Sequence, residues 1–396
     1  MKTRKLLFNL LSLLVFASLL AACGGGPAAP AIPSGPDVAA GYTGTVVKSV
    51  PQDLVAACKK EGMVTIIATP PNWANYGEIF ADFEATTGAK INSLDPNAGS
   101  ADELAAIEAN KSNKGPQAPD IVDVGYAYGK QGKDAGQYQP YKVSTWDKIP
   151  DTVLGLPSKD PDGYWTMGYY GVMVIETNTA VVKNPPKNWE DLLKPEYKGQ
   201  VALSGPPTTS NQAIQSIFAA ALASGGSLDN AQPGLDFFKK LSDAGNFVPV
   251  VAKVGTIAQG ATPIELAWDY NAYGDKDSLK GNPPIEISYP SPTIGGGYVQ
   301  AISAYAPHPN CAKAWMEILH SDEGQLAWTK GHAHGVHEAD LRARNVIPAD
   351  VLSTLPDPSV LASAVAPSAD QLAAAKTLIT EGWMKTVGVD VPTPAP

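Results

Sequence analysis

The sequence contains very little cysteine, with three residues among 396. A disulfide-stapled exported protein needs a dense, even set of cysteines, so this chain is not a disulfide scaffold. Cys23 lies in the N-terminal segment, which leaves Cys58 and Cys311 in the remainder of the chain. In an exported chain these two can pair or can each stay free, and the sequence leaves both states open.

Common catalytic motifs are also absent from the sequence. It has no Gly-x-Ser-x-Gly elbow, no phosphate-binding Gly-Lys-Ser/Thr loop and no His-Glu-x-x-His zinc motif. The adjacent acids Asp102 and Glu103, and likewise Glu190 and Asp191, begin helical patterns, where carboxylates interact favourably with the helix dipole. We therefore expect a protein that is not an enzyme and that uses no cofactor.

A long apolar run occurs only at the N-terminus. Residues 6–22 are almost wholly apolar and follow three basic residues, which is the pattern of a secretory signal over residues 1–22. The run ends in "LAAC", which resembles a bacterial lipobox and implies that Cys23 becomes a lipid-modified N-terminus. The alternative is an ordinary signal peptide with a chance cysteine. We expect an extracytoplasmic chain anchored to the cell membrane, at the periplasmic face or the cell surface.

Both ends of the chain have the composition of flexible segments. Residues 23–44 are mostly Gly, Pro, Ala and Ser, and Asp37 is their only charged residue. Such a segment buries too little apolar surface to order itself, so we expect a spacer between the membrane and the folded part. Residues 389–396 form a similar Pro-rich tail.

The central part is long and acidic. Roughly 340 residues lie between the two flexible ends, which is enough for two lobes with cores of their own. Without residues 1–22, 26 Lys and Arg stand against 39 Asp and Glu, a net charge of −13. This acidity argues against nucleic acid as a partner.

Short apolar runs alternate with helical patterns along this central part. Apolar runs predict strands at residues 63–68, 120–124, 201–205, 263–268 and 298–305. Periodicity predicts helices near residues 76–87 and 211–223, and capping boxes predict helix starts at Ser100 with Glu103 and at Ser368 with Gln371. This alternation indicates an α/β fold with mainly parallel sheets, in which ligands bind beyond the carboxyl ends of the strands.

Aromatic, amide and hydroxyl side chains, with one acid, concentrate where four of these strands end. They are Asn72, Trp73, Asn75 and Tyr76, then Tyr126, then Thr209, Ser210 and Asn211, then Trp268, Asp269 and Tyr270, with Tyr170 at a predicted crossing of the chain. Aromatic surfaces with few charges are typical of a cleft that desolvates a small solute. Four other tryptophans lie on amphipathic helical patterns and are expected in the core, namely Trp189, Trp315, Trp328 and Trp383.

Four segments resemble the solute-binding proteins of ABC importers. They are "MVTIIATPPNWANYGEIFADFEATTGAKI", "APDIVDVGYAYG", "NWEDLLKPEYKGQVAL" and "APHPNCAKAWMEILHSDEGQLAW", which together span about residues 60–335. The resemblance implies the type II periplasmic-binding-protein fold, whose two lobes close over a small ligand by a hinge motion. It also implies a monomer that delivers its ligand to an ABC permease with its ATPase subunits.

The implied lobes are each made of two pieces of chain. We expect the first lobe at residues 45–166 plus 296–345, and the second at residues 167–295 plus 346–388, with crossings near 167–170 and 292–297. A lipoprotein that senses a ligand without transporting it would have the same lobes. Only the dependence of uptake on a permease separates these two functions.

The combination of "NWANY" with "AWDY" is similar to the spermidine/putrescine-type branch of these proteins. The resemblance implies that Trp73 and Tyr76 are walls for an aliphatic amine, that Trp268 stacks on it, and that Asp269 pairs with its ammonium group. An ammonium group over an aromatic face gains about 0.5–2 kcal/mol, and a carboxylate adds a charge-assisted hydrogen bond. That branch usually has an acid between the first Trp and Tyr, where this chain has "AN". A ligand with several ammonium groups would therefore keep unpaired charges in the cleft.

The third strand end favours an anion instead. The segment "SGPPTTSNQAIQS" places Thr209, Ser210 and Asn211 at a helix N-terminus, where N–H groups and the dipole attract negative charge. It is similar to loops of the iron/phosphonate-type branch, and the alternative is an ordinary N-cap by Ser210 or Asn211. Together with Asp269, these residues favour a ligand with one amine and one anionic end. Ferric iron, a phosphonate or a phosphate ester is the alternative ligand.

Three of the five histidines occur together in "GHAHGVHEAD". Clustered imidazoles such as His332, His334 and His337 can bind zinc. Their spacing matches no standard zinc site, however, and the glycines predict a surface loop. We expect no metal there and keep the three histidines as weak candidates, with contact between one of them and the ligand as a further alternative.

Overall fold

The structure is a computed structural model that describes residues 37–355 and 358–393. The predicted signal, the lipidation residue Cys23 and the spacer up to residue 36 lie outside the described residues, as do residues 394–396. Among the described helices, none has the length and apolar character that crossing a lipid bilayer requires. The last described residues pack on the fold, because Val391 is buried and the Trp383 indole N–H donates to the Val389 carbonyl (2.7 Å).

Helices and strands alternate along the described chain. The helices are α1 (Gln52–Glu61), α2 (Tyr76–Thr87), α3 (Ser100–Ala109), α4 (Tyr126–Asp134), α5 (Asn211–Ala223), α6 (Gln232–Asp243), α7 (Val254–Ala258), α8 (Asp269–Leu279), α9 (Pro309–Leu319), α10 (Asp322–Lys330), α11 (Glu338–Ala343), α12 (Ala349–Leu352), α13 (Pro358–Ser363) and α14 (Ala369–Thr386). The strands are β1 (Met63–Ile67), β2 (Lys90–Leu94), β3 (Ile121–Gly125), β4 (Tyr138–Gln139), β5 (Thr152–Val153), β6 (Leu156–Pro157), β7 (Thr166–Asn178), β8 (Val201–Leu203), β9 (Ile264–Trp268), β10 (Ile285–Ser288), β11 (Gly295–Ser303) and β12 (His334–Gly335). The α/β class is confirmed, and α2 and α5 have the predicted bounds.

Most of the described strands join one mixed sheet. Its main order is β2-β1-β3-β11-β7-β9-β8, with β4 on β11 and with β10 and β12 on β7. β1 pairs in parallel with β2 and β3, and β8 pairs in parallel with β9, as strand–helix units predict. The long strands β7 and β11 pair antiparallel with all their neighbours. The sheet is therefore mixed rather than mainly parallel, because β7 and β11 run between the two parallel groups.

The start of α3 differs from the predicted capping box. Gly99 is the N-cap, and Ser100 is the first helical residue. The Ser100 hydroxyl accepts a hydrogen bond from the N–H of Gly125 (3.0 Å), and the Glu103 carboxylate accepts one from the N–H of Asp123 (2.8 Å). Both side chains thus bond to β3, a distant partner that a local pattern does not reveal. The box that was predicted at the start of α14 is confirmed.

The two remaining cysteines are paired. A disulfide between Cys58 and Cys311 joins α1 to α9, which settles the question that the sequence left open. The four tryptophans expected in the core are each at most 1% exposed, namely Trp189, Trp315, Trp328 and Trp383. The core interpretation of these side chains is confirmed.

Candidate functional site

Two adjoining cavities lie where the carboxyl ends of strands from both parallel groups meet. The first is bordered by the loops after β1, β2 and β8 and by the starts of α3 and α5. The second is bordered by β9, α8 and the segment before α7. The cavities share six lining residues, Pro70, Trp73, Asn97, Ser204, Gln212 and Lys253, so together they form one cleft. This is the location that the rule for open α/β sheets predicts.

The loop after β1 forms one wall of the cleft. Three of its residues other than glycine have positive φ, namely Ala68 (60°), Ala74 (45°) and Asn75 (61°). The Asn75 amide donates to the Glu78 carboxylate (2.9 Å) and to the Ala327 carbonyl (3.0 Å), which holds the loop in this conformation. A positive φ at a residue other than glycine costs conformational free energy. Such residues cluster at functional sites, where surrounding contacts enforce the conformation.

Trp73 is held by a hydrogen-bond chain that ends on a buried acid. Its indole N–H donates to the Tyr169 hydroxyl (2.6 Å), which in turn donates to Oδ2 of Asp123 (2.7 Å). The other oxygen of Asp123 accepts from the side-chain amide of Gln300 (2.5 Å). The Tyr298 ring packs edge-on against Trp73 with centroids 5.3 Å apart. Trp73 is therefore a fixed aromatic wall rather than a mobile surface side chain.

Two carboxylates, Glu103 and Asp123, line the first cavity. Burial raises the pKa of Asp123 to about 6. Burial, together with the charge of Asp123, raises the pKa of Glu103 well above its ordinary value. A cation in the first cavity would offset both effects and keep the two acids ionised.

The N-termini of α3 and α5 meet across the first cavity. The N–H of Ala101 donates to the Thr209 carbonyl (3.3 Å), and a Cβ on Gly99 would lie only 2.6 Å from that same oxygen. Ser210 caps α5 by accepting from the N–H of Ala213 (3.4 Å). Two helix N-termini at one cavity favour negative charge on a ligand.

The second cavity carries charges of both signs. The carboxylates of Glu265 and Asp275 and the exposed Lys253 line it. Burial raises the pKa of Glu265, and burial with the Glu265 charge raises that of Asp275, while the Lys253 charge opposes both shifts. The Asn271 amide donates to the side-chain oxygen of Gln212 (2.9 Å), which ties α8 to α5 at this cavity.

The structure brings four of the twelve predicted ligand-binding side chains to the cleft, namely Asn72, Trp73, Ser210 and Asn211. Thr209 contributes its backbone carbonyl to the contact with α3. Asn75 and Tyr76 support the loop from behind, and the Tyr76 ring is buried and stacks parallel to Trp315 at 6.1 Å.

Trp268, Asp269 and Tyr270 lie beneath the cleft lining, and each is at most 1% exposed. The Asp269 Oδ1 accepts from the N–H groups of Val172 (3.1 Å) and Tyr270 (3.0 Å), and burial raises the pKa of Asp269 to about 6. The Tyr270 ring packs against Trp73 at 5.8 Å, so this group supports the aromatic wall. α8 begins directly at Asp269, which directs its carboxylate to β7. Its pairing with a ligand ammonium group stays a prediction.

The two remaining predicted tyrosines lie away from both cavities. Tyr126 packs edge-on against Trp165 at 5.6 Å, in a separate cavity between α4 and α14. Tyr170 stacks on His334 at 5.4 Å, beside the pairing of β12 with β7. Contact of either tyrosine with the ligand stays a prediction.

The three candidate histidines have separate partners. His332 is 2.7 Å from the Asp277 carboxylate, and His334 is 2.6 Å from that of Glu338. His337 packs near the ring of His320 at 5.6 Å. Over the described ranges, the three do not come together in a group of possible metal ligands.

Sequence reasoning missed the charged residues that line the cleft, which are Glu103, Asp123, Lys253, Glu265 and Asp275. A signal existed for two of them. Asp123 in "DIVDV" and Glu265 in "PIELAW" are acids inside apolar strand runs, and a buried acid requires a partner or a function. Glu103 was assigned to a capping box that the structure does not form, and Lys253 and Asp275 follow no pattern that points to a cleft.

Sequence comparison supports this interpretation of the fold. The family described as bacterial extracellular solute-binding protein matches residues 117–348, more than half of the chain. A Haemophilus influenzae Rd protein, described as uncharacterized, is 28% identical over 247 residues, which are 59% of this chain and 66% of that protein. The chain therefore spans just under two thirds of that relative's length.

Solved structures show the same architecture. The periplasmic binding protein AfuA from Actinobacillus pleuropneumoniae, solved with fructose-6-phosphate, has a TM-score of 0.62 and 20% identity over 83% of this chain and 99% of AfuA. AgtB from A. tumefaciens R10, in complex with agropinic acid, has a TM-score of 0.64 and 14% identity over 83% and 99%. At these identities the likeness concerns the fold alone, which is that of type II periplasmic binding proteins. By its sequence match and its fold, the chain belongs to the bacterial extracellular solute-binding proteins.

Proposed function

We propose that this chain is the lipid-anchored receptor of an ABC importer and that its cleft captures a small solute that carries an amino group. The family match supports capture of a solute, which is not an enzymatic activity. In this proposal Cys23 carries the anchor, and the monomeric receptor delivers its ligand to a permease. ATP hydrolysis would be done by other chains.

One observation carries the choice of ligand. Two buried carboxylates, Glu103 and Asp123, line the first cavity together with the aromatic rings of Trp73 and Tyr298. An ammonium group between rings and acids gains a cation–π interaction and charge-assisted hydrogen bonds. It also removes the repulsion between two acids that share a desolvated site.

The contact between α3 and α5 supports an anionic group elsewhere on the same ligand. Their N-termini meet at the first cavity, where Ala101 donates to Thr209, so N–H groups from two helices are close to one another. A zwitterion, such as an amino acid or an aminophosphonate, would use both charges of the cleft. In this proposal α3 and α5 belong to different lobes, with the boundaries that the sequence predicts, and they meet when the hinge closes.

A phosphate ester or phosphonate is the second candidate ligand. Lys253 lines both cavities, and the two helix N-termini add further positive potential. AfuA, which shares the fold, was solved with fructose-6-phosphate, a ligand of this class. Lys253 and the helix ends favour such an anion, whereas the acids of the first cavity oppose it.

A thermal-shift screen of the full chain separates the two candidates. The panel contains putrescine, spermidine, γ-aminobutyrate, amino acids, aminophosphonates, sugar phosphates and inorganic phosphate. A ligand at about 100 times its Kd stabilises the folded state by about 2.7 kcal/mol, which such a screen detects. We expect a shift with an amine or zwitterion that Glu103→Gln removes and Glu190→Gln, a change at an exposed acid, keeps.

The opposite pattern would favour the second candidate. It consists of a shift with phosphate esters alone that is lost in Lys253→Met and kept in Glu103→Gln. Loss of uptake in cells without the permease would separate a transport receptor from a sensor that is not coupled to transport.

A further inference from the structure

Three carboxylates converge beneath α8, on one face of the sheet. Glu176 on β7, Glu265 on β9 and Asp275 on α8 each offer an oxygen, and these three oxygens lie within 4.8 Å of one another. Glu176 and Glu265 are direct partners in the antiparallel register of β7 and β9. Like charges at directly opposed positions destabilise a sheet, so this arrangement needs a compensating interaction.

Hydrogen bonding does not supply that compensation for Glu176. Its side chain is fully buried, and neither of its carboxylate oxygens has a hydrogen-bond partner within the part of the chain that the structure describes. Asp123 is a contrasting buried acid, because each of its oxygens accepts a hydrogen bond. A buried carboxylate without donors is costly unless it is protonated or binds a cation.

The net charge of the three acids and their neighbouring lysine matches that of one divalent cation. Three ionised carboxylates carry −3, and Lys253, whose charge acts on Glu265 and Asp275, contributes +1. One divalent cation would bring the group to neutrality. A monovalent ammonium group would leave one negative charge uncompensated in a buried place.

The type of ligand and its geometry favour calcium among the divalent ions. Calcium takes oxygen ligands at about 2.3–2.6 Å in a flexible geometry, and it accepts carboxylates together with water. Magnesium demands a nearly ideal octahedron at about 2.0–2.1 Å and gives up its water reluctantly. Three carboxylate oxygens within 4.8 Å of one another, held by two strands and a helix, suit the more tolerant ion. Glu265 and Asp275 also line the second cavity, which gives an ion an entry path and solvent oxygens for the rest of its shell.

We propose that Glu176, Glu265 and Asp275 bind one calcium ion at the floor of the second cavity. This inference goes beyond the proposed transport function, because solute capture in the first cavity does not require the ion. The three ligands come from β7, β9 and α8, so the ion would tie α8 to the sheet beside the cleft.

The test is a calorimetric titration of the full chain, treated with EDTA and dialysed, with CaCl2. Parallel titrations use MgCl2 and KCl. We expect one calcium site per chain with a Kd between about 10⁻⁷ and 10⁻³ M, the range of sensor and extracellular sites. Magnesium should bind more weakly, and potassium should give no saturable heat.

Variants separate a calcium ligand from a residue that only supports the fold. Glu176→Gln keeps the shape and removes the charge, so we expect calcium affinity to fall at least about tenfold. The ion-free variant should melt no lower than the ion-free wild type, because its repulsion with Glu265 is gone. Asp275→Asn, at a half-buried position, is a second variant in case Glu176→Gln fails to fold. Glu190→Gln, at an exposed acid, should bind calcium like the wild type.

Two outcomes would overturn the proposal. The first is the absence of a heat of calcium binding to the wild-type chain at calcium concentrations up to about ten times the weakest expected Kd. The second is calcium affinity that both Glu176→Gln and Asp275→Asn leave unchanged. The solute screen is run without calcium, so failure of the metal site leaves the proposed transport function standing, and failure of the screen leaves the metal site standing.

Discussion

Two groups of buried acids in the same cleft differ in how their oxygens are satisfied. In the first cavity, Asp123 accepts hydrogen bonds from Tyr169 and Gln300, and Glu103 accepts one from backbone. Beneath the second cavity, neither oxygen of Glu176 has a hydrogen-bond partner among the described residues. The first group is held in place by donors and keeps further lone pairs for a ligand. In the second group Glu176 has acceptor capacity without donors, which is the observation on which the proposed ion site rests.

The largest expected effect on stability comes from removing the Tyr169 hydroxyl, which links Trp73 to Asp123. Tyr169→Phe leaves the Trp73 indole N–H and one oxygen of Asp123 unpaired in a buried place. We expect unfolding in urea to show a loss of about 2–4 kcal/mol.

Tyr270→Phe is the matched control for that variant. Tyr270 belongs to the same aromatic cluster, 5.6 Å from Tyr169, but its hydroxyl has no hydrogen-bond partner in the described part of the chain. Its removal should leave the free energy of unfolding nearly unchanged or slightly higher. Equal losses in the two variants would contradict the role of the hydrogen-bond chain.

The second prediction concerns pH. Burial raises the pKa of Asp123 to about 6, against about 3.9 in an unfolded chain. Its contribution to stability is therefore fully present below about pH 3.9 and is lost as pH rises through about 6, an effect of about 2–3 kcal/mol. Denaturant unfolding between about pH 4 and 7.5 should show a larger fall in the wild type than in Asp123→Asn, because Asp269, whose pKa is also raised to about 6, titrates in both proteins. Parallel profiles of the two proteins would show that Asp123 is not the source.

A third, smaller effect tests the contact between α3 and α5. A Cβ at Gly99 would lie 2.6 Å from the Thr209 carbonyl, so Gly99→Ala should keep the cleft from closing and weaken ligand binding about tenfold, or about 1.4 kcal/mol. Gly255→Ala is the matched control, because a Cβ there would have no neighbour within 4 Å among the described residues. Small-angle scattering with ligand should show the Gly99 variant more open than the control. If Gly99→Ala and Gly255→Ala became equally compact with ligand and bound it with equal affinity, the contact between α3 and α5 would not accompany binding.

Much of the fold could be predicted from local patterns. Strand–helix alternation gives the α/β class, and the bounds of α5 follow from periodicity and the polar residues before it. The antiparallel role of β7 and β11 could not be predicted, because an apolar run does not state its direction or its partners. The capping role predicted for Ser100 was wrong for a similar reason. Its hydroxyl accepts from the N–H of Gly125 on a strand that is distant in sequence.

Of the residues that line the candidate cleft, the sequence predicted only aromatic, amide and helix-capping ones. Trp73 and Asn211 line the cleft as strand-end residues should. Asp269 follows an equally suggestive strand, yet α8 begins at once and its carboxylate bonds to the N–H of Val172. Whether an acid at a strand end faces a cleft or the fold depends on one turn of backbone. That turn is not visible in the composition of the segment.

The central claim is that the acids of the first cavity hold the amino group of a ligand. Its most direct test is a calorimetric titration of the amine or zwitterion found by the screen into wild type and Glu103→Gln near neutral pH. Losing one partner of a buried charge pair costs about 2–5 kcal/mol, so Kd should rise by at least about 30-fold in Glu103→Gln. The same Kd in both proteins would contradict the claim.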